Sequence, residues 1–212
     1  MTELDAMNAA AEDLLRAAPV VPVLAIADLD DALPLARALV DAGLPVLEVT
    51  LRTPCALDAI ARIAREVPGA RVGAGTVLHA GDLRAVQEAG ATFAISPGAT
   101  PALYAAAREA RIPYIPAIAT ASELMAGLEH GHRVFKFFPA EAAGGTTALK
   151  AFAGPFPQAR FCPTGGIDAT RALAYRALPN VLTVGGSWMV PGDALAARDW
   201  PRIHQLARDA AT

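Results

Sequence analysis

Two lysines, Lys136 and Lys150, serve the whole 212-residue chain; the other sixteen of its eighteen basic residues are arginines. Charged side chains of either sign are scarce at 18%, aromatic ones reach only 6%, and the net charge is −3. This balance lacks the basic footprint of a nucleic-acid binder, so any anionic ligand must be held by a local site. Cysteine is nearly absent too. Cys55 and Cys162 lie far apart without paired-ligand spacing, which argues against a disulfide framework and a zinc site. A reducing compartment is the default for such a chain. Long apolar runs are missing: the run from Ala17 to Ala27 is too short for a bilayer and carries Pro19 and Pro22. The start, Met1-Thr2-Glu3-Leu4-Asp5, is acidic where a secretory signal is basic. A cytoplasmic protein with no membrane association is expected.

What the chain has in quantity is apolar surface. Hydrophobic residues make up 54%, enough for a large core or for surface hidden in an oligomer. Residues 2–17 read as an amphipathic helix with Leu4, Met7, Leu14 and Leu15 near one face. After Pro19, short Val- and Ile-rich runs alternate with alanine-rich helical stretches at intervals of about 25 residues. The expected strands are 20–26, 46–51, 71–77, 93–96, 114–118, 134–138, 161–164 and 181–185. The expected helices are 29–42, 55–67, 80–89, 101–110, 121–130, 145–153, 168–178 and 193–210. Such units make an α/β fold, a (β/α)8 TIM barrel with an extra N-terminal helix, the first expectation and an open doubly wound sheet the second. The expected division is 1–18 for the helix and 19–212 for the barrel. Asp28, Thr53, Thr100, Thr120, Asp168 and Asp193 stand where helix caps are wanted, and Gly43, Gly69, Gly90 and Gly131 where helices end.

One lysine sits in an unusual place. Val134-Phe135-Lys136-Phe137-Phe138-Pro139 reads as a buried strand. An ammonium there is costly, and the usual outcome is a neutral, nucleophilic amine of the kind a Schiff-base enzyme needs. The bland alternative is a lysine whose stem packs while its head pairs with a carboxylate. In Val46-Leu47-Glu48-Val49-Thr50-Leu51-Arg52, strand alternation puts Glu48, Thr50 and Arg52 on one face, expected to point inward. Lys136, Glu48 and Arg52 then supply a nucleophile, a base and an anion clamp to one cavity.

Glycine pairs follow the last two expected strands, at Thr164-Gly165-Gly166-Ile167 and Gly185-Gly186-Ser187. Small residues there expose backbone N–H groups to a phosphate. Gly73-Ala74-Gly75-Thr76 reads as tight packing or as a ligand contact through Thr76, and Ser96-Pro97-Gly98 as a rim turn. His130 and His132 fall at the opposite end of the strands, and no metal site is expected from them.

Taken together, EVTLRT (48–53), VGAGTVL (72–78), AISPG (94–98), FKFFPAE (135–141), FCPTGGI (161–167) and VGGSWMVP (184–191) resemble the 2-keto-3-deoxy-6-phosphogluconate (KDPG) and 2-keto-4-hydroxyglutarate (KHG) aldolase family. The resemblance implies a homotrimeric barrel that cleaves KDPG reversibly to pyruvate and D-glyceraldehyde 3-phosphate. It implies Lys136 as the Schiff-base lysine and Glu48 as the general acid/base. Substrate contacts fall on Arg52, Thr76, Thr164, Pro97 and Phe138, and phosphate contacts on Gly165, Gly166, Gly186 and Ser187. No metal or organic cofactor is implied. Ala117-Ile118-Ala119-Thr120 departs from the pattern, standing where a glycine and a serine are expected. The rival readings are the same chemistry on KHG or on the galactonate epimer, a sugar-phosphate isomerase, and a silent phosphate-binding scaffold.

Overall fold

Thr2 sets where the first helix begins. Its hydroxyl accepts from the Asp5 N–H while the Asp5 carboxylate accepts from the Thr2 N–H, which satisfies two donors that helix geometry leaves free. The computed structural model describes residues 2–212, so Met1, the first residue of the expected helical segment, lies outside them. Helix α1 (Glu3–Arg16) buries Ala11, Leu14 and Leu15. Asn8 ties it down: its Nδ2 donates to the Gly131 carbonyl and its Oδ1 accepts from the Arg133 N–H, both at 2.9 Å.

Strands and helices then alternate: β1 (Val20–Leu24), α2 (Ala32–Asp41), β2 (Val46–Thr50), α3 (Ala56–Glu66), β3 (Arg71–Gly75), α4 (Ala80–Glu88), β4 (Ala94–Ile95) and α5 (Pro101–Ala110). The second half holds β5 (Tyr114–Ile115), β6 (Ala117–Ile118), α6 (Ala121–Glu129), β7 (Val134–Phe137), α7 (Gly145–Ala153), β8 (Arg160–Pro163), α8 (Ala169–Arg176), β9 (Val184–Gly186), α9 (Gly192–Ala196) and α10 (Trp200–Ala211). Every strand pair is parallel, in the orders β5-β4-β3-β2-β1-β9 and β6-β7-β8, and a parallel bridge joins Thr164 to Gly185. The result is a parallel α/β fold with a curled sheet. No helix among the described residues is long and apolar enough to cross a membrane.

Three expected elements are subdivided. Pro116 splits the expected strand 114–118 into β5 and β6, because it has no N–H for the ladder, although its carbonyl accepts from the Lys136 N–H at 3.0 Å. The expected helix 29–42 starts as a 3-10 turn over Leu29–Asp31, capped by Asp28. The expected helix 193–210 breaks at Arg198, where φ is +52°, and Asp199 caps α10. Asp193 therefore lies in the first turn of α9, where it pairs with Arg202 at 2.7 Å, and is not a cap. Thr53 stands two residues before Cys55, the N-cap of α3. Thr100, Thr120 and Asp168 each accept from a backbone N–H as caps, and Gly43, Gly69, Gly90 and Gly131 have φ between +86° and +96°. The departing segment at 117–120 thus ends in a regular capping box between Thr120 and Glu123.

Strand alternation sorts the core into two layers. Leu47, Val49, Phe135, Phe137 and Phe161 join the helices in the larger cluster. Val21, Val46, Phe93, Ile95, Ile115, Val134 and Cys162 meet on the other face with Ala11, Leu14, Leu15 and Ala18, so α1 seals one end of the inner layer. Glu48 and Lys136 follow Val46 and Val134 by two residues and share their face, one layer above this apolar floor.

Candidate active site

Glu48 lies opposite Gly73 in the β2–β3 register, and Lys136 opposite Cys162 in the β7–β8 register. Their side chains cross the inner space to meet: Lys136 Nζ donates to Glu48 Oε1 at 2.9 Å, with the two side chains only 7% and 2% exposed. The Lys136 ammonium also stands 5.3 Å from the centre of the Phe138 ring. Burying such a pair costs more solvation than a surface pair ever returns, so it is an expensive way to hold a fold together. A sealed amine beside a sealed carboxylate does, however, allow a proton to pass between them without crossing water.

Seven of the expected site residues line one cavity of about 210 Å³: Glu48, Arg52, Thr76, Pro97, Lys136, Phe138 and Thr164, together with Val23 and Thr50. Arg52 reaches the cavity from its mouth, on the face of Thr50. It follows the end of β2 and is exposed at the mouth, held by its Nε donating to Thr50 Oγ1 at 3.0 Å. Thr50 in turn donates to the Leu24 carbonyl at 2.8 Å, which fixes the acceptor beneath the guanidinium. Thr76 sits at φ +59°, a conformation that a β-branched residue rarely adopts. Thr164 is buried with its hydroxyl donating to the Cys162 carbonyl at 3.4 Å. Cys162 itself is held inert, its thiol pushed up to about 12 by burial, with the Lys136 charge working the other way.

The four phosphate candidates do not line that cavity. Ser187 instead shares with Arg52 a neighbouring opening of about 200 Å³, walled by Leu24, Leu35, Val190 and Leu195. Gly186 ends β9, with the Trp188 ring in the space a side chain would need. Gly165 and Gly166 form the turn after β8, both at positive φ. A larger cavity, about 570 Å³, opens beside Asp28, Asp31 and Arg198, where the guanidinium forms ion pairs with the two carboxylates at 2.9 and 2.7 Å.

Two glycines shape the site: Gly75, in the stretch read as tight packing, and Gly185, which was read only as part of a phosphate element. A Cβ on Gly75 would stand 2.2 Å from Glu48 Oε1, and one on Gly185 would stand 2.3 Å from Thr164 Oγ1. A glycine on the strand next to each functional side chain was the available signal.

A parallel α/β fold that seals a lysine and a carboxylate together on the inner face of its curled sheet offers what a carbon–carbon lyase of the Schiff-base class needs. The chain belongs to the KDPG and KHG aldolase family, whose model matches residues 11–206. It is 60% identical over 200 residues, 94% of each chain, to the KHG/KDPG aldolase of Escherichia coli K12. The KDPG aldolase of Legionella pneumophila, solved with pyruvate captured as a covalent carbinolamine intermediate, superposes with a TM-score of 0.93 at 49% identity, over 95% of this chain and 98% of that one. The enzyme of Zymomonas mobilis ZM4, solved with 3-phosphoglycerate, gives 0.91 at 51% identity over 95% of each chain.

Proposed function

We propose that this protein is a class I aldolase that cleaves KDPG reversibly to pyruvate and D-glyceraldehyde 3-phosphate through an imine on Lys136. The observation that carries the reading is the sealed contact between Lys136 Nζ and Glu48 Oε1 in a cavity that opens past Arg52. An isomerase on the same framework leaves that contact without a role.

The steps follow from the geometry. Glu48 takes a proton from Nζ, and the neutral amine adds to the C2 carbonyl to give a carbinolamine. The proton returns from Glu48 to the new hydroxyl, which leaves as water and yields the iminium. Glu48 then takes the C4 hydroxyl proton while the C3–C4 bond breaks; its electron pair flows into the iminium and glyceraldehyde 3-phosphate departs. The enamine is protonated at C3 by Glu48, and water releases pyruvate from Lys136. The iminium is the only electron sink the cleavage needs, so no metal or organic cofactor takes part.

In this reading Arg52 and Thr76 hold the pyruvate carboxylate, Thr164 meets the hydroxyl-bearing carbon, and Pro97 and Phe138 wall the pyruvate half. Gly165, Gly166, Gly186 and Ser187 receive the phosphate at the far end. Recognition concentrated on the pyruvate half favours KHG as a second substrate, releasing glyoxylate; the name of the E. coli relative supports this.

The larger framework is read as a full (β/α)8 barrel over residues 19–212. Two features support closure: β5 and β6 act as one strand bonded to β4 on one side and β7 on the other, and β8 meets β9 at Thr164 and Gly185. Of the expected segment 1–18, the described part, residues 2–18, acts as the plug of the inner layer. A homotrimer is what the family resemblance implies, and the exposed Leu57, Leu78, Met125 and Leu173 offer apolar surface that an assembly could cover; a cytoplasmic setting is read from two cysteines that are free thiols. Light scattering should return three copies per particle.

The decisive experiment is incubation with pyruvate followed by borohydride reduction and peptide mapping. A reduced pyruvyl adduct on Lys136 is expected, with pyruvate released from KDPG in a coupled assay. A folded protein that yields no adduct overturns the reading.

A further inference from the structure

The two glycines of the turn after β8 are held from behind. Gly165 and Gly166 have φ of +104° and +77°, a backbone whose freedom is useful for wrapping an anion and is lost on binding unless something fixes it first. Four contacts fix it. The Ala140 N–H donates to the Thr164 carbonyl at 2.8 Å and the Glu141 N–H to the Gly165 carbonyl at 3.2 Å. The Glu141 side chain lies so close under Gly166 that an added Cβ would stand 2.8 Å from its Cγ. Arg171 Nη1 donates to the Gly166 carbonyl at 3.3 Å.

Glu141 is itself doubly bound. One carboxylate oxygen accepts from the Tyr175 hydroxyl and the other lies 3.2 Å from Arg171 Nε. Arg171 also reaches Asp168, the cap of α8, at 2.7 Å. Tyr175 is almost fully buried, and burial followed by the Glu141 carboxylate keeps its hydroxyl above the usual range, so it stays a donor.

We infer that Glu141, anchored by Tyr175 and Arg171, is a positioning residue that pre-sets the Gly165–Gly166 turn for the phosphorylated end of the substrate. The inference rests on the aldolase reading and on the phosphate assignment made there. A carboxylate near an anion site is expected to repel, but Arg171 and the Tyr175 hydroxyl offset its charge. Freeing Arg171 by removing Glu141 adds little attraction, because the guanidinium is half exposed and stays paired with Asp168. Loss of turn geometry therefore dominates.

The test uses the full-length protein with Glu141→Ala, Glu141→Gln and Tyr175→Phe. For Glu141→Ala, KM for KDPG should rise roughly tenfold with kcat within about twofold, a loss of ground-state and transition-state binding alike. The pyruvate concentration that half-saturates borohydride trapping should stay within about twofold of the parent, since the pyruvate half is untouched. Glu141→Gln, which keeps the packing under Gly166 and an acceptor for Tyr175, should recover most of the loss, and Tyr175→Phe should lose about threefold. An unchanged KM for KDPG, or an equal loss in KDPG affinity and pyruvate trapping, overturns the inference. A parent protein that fails to trap pyruvate sinks the aldolase reading as well; one that traps normally while the variants show no KM effect sinks this inference alone.

Discussion

The carboxylate of Glu48 occupies the space that a side chain at Gly75 would need, with Oε1 2.2 Å from where its Cβ would stand. The contact lies on the neighbouring strand of a paired register, so neither backbone can give way without breaking the β2–β3 ladder. Gly75→Ala should therefore displace the carboxylate and lower kcat for KDPG by about 10²-fold, the scale of an ångström misplacement of a reacting group. Single-turnover cleavage measures it, and far-ultraviolet circular dichroism should remain that of the parent.

Lys136 is the partner that neutralises Glu48. Lys136→Met should abolish pyruvate trapping and also destabilise, by about 3 kcal/mol, because it leaves a buried carboxylate unpaired. Adding Glu48→Gln should restore most of that stability without restoring activity. Urea denaturation of the two variants beside the parent checks the pattern; equal stability of all three would mean that the pair is far better solvated than its geometry indicates.

His132 predicts an acid limb in stability. Burial first, then the Arg108 and His130 charges, lowers its pKa from the ordinary 6.5 to about 4, and its Nε2 has no hydrogen-bond partner among the described residues. The unfolded chain takes up a proton there from pH 6.5 downward while the folded protein does not. Stability is therefore full above pH 6.5, falls as the pH drops toward 4, and loses about 3 kcal/mol through this group. His132→Phe, which keeps an aromatic beside Tyr104 and Tyr114, should flatten that slope in urea midpoints measured between pH 7 and 4.

The two thiols should behave differently. Cys162 is buried one layer beneath the active site with its thiol pushed up to about 12, whereas Cys55 is half-buried near the surface. Iodoacetamide at pH 8 should label Cys55 in the folded protein and reach Cys162 only in denaturant, where mass spectrometry should find two adducts.

Much of this arrangement is legible in the chain. Period-two alternation put Lys136 above Val134 and Glu48 above Val46, and the apolar partners on the opposite faces mark which way the charges point. Helix limits were readable where a side chain supplies its own cap, as at Thr100, Thr120 and Asp168. They were less so where a backbone feature intrudes, as at Pro116 and Arg198. Alternation placed Arg52 on the face of Glu48 and Thr50, and although β2 ends at Thr50 the Arg52 side chain still meets Thr50 and lines the cavity, from a more exposed position than a strand residue would have.

By itself the sequence determined the family, the succession of strands and helices, and the residue types available at each strand end, because these depend on local periodicity and short motifs. Only the tertiary structure decided that Lys136 and Glu48 touch across 88 positions of chain, that Gly75 and Gly185 make room for them and for Thr164, and that Glu141 braces the turn at Gly166. Such contacts depend on the register and curl of strands brought together from distant segments, and no local pattern encodes a distance between them.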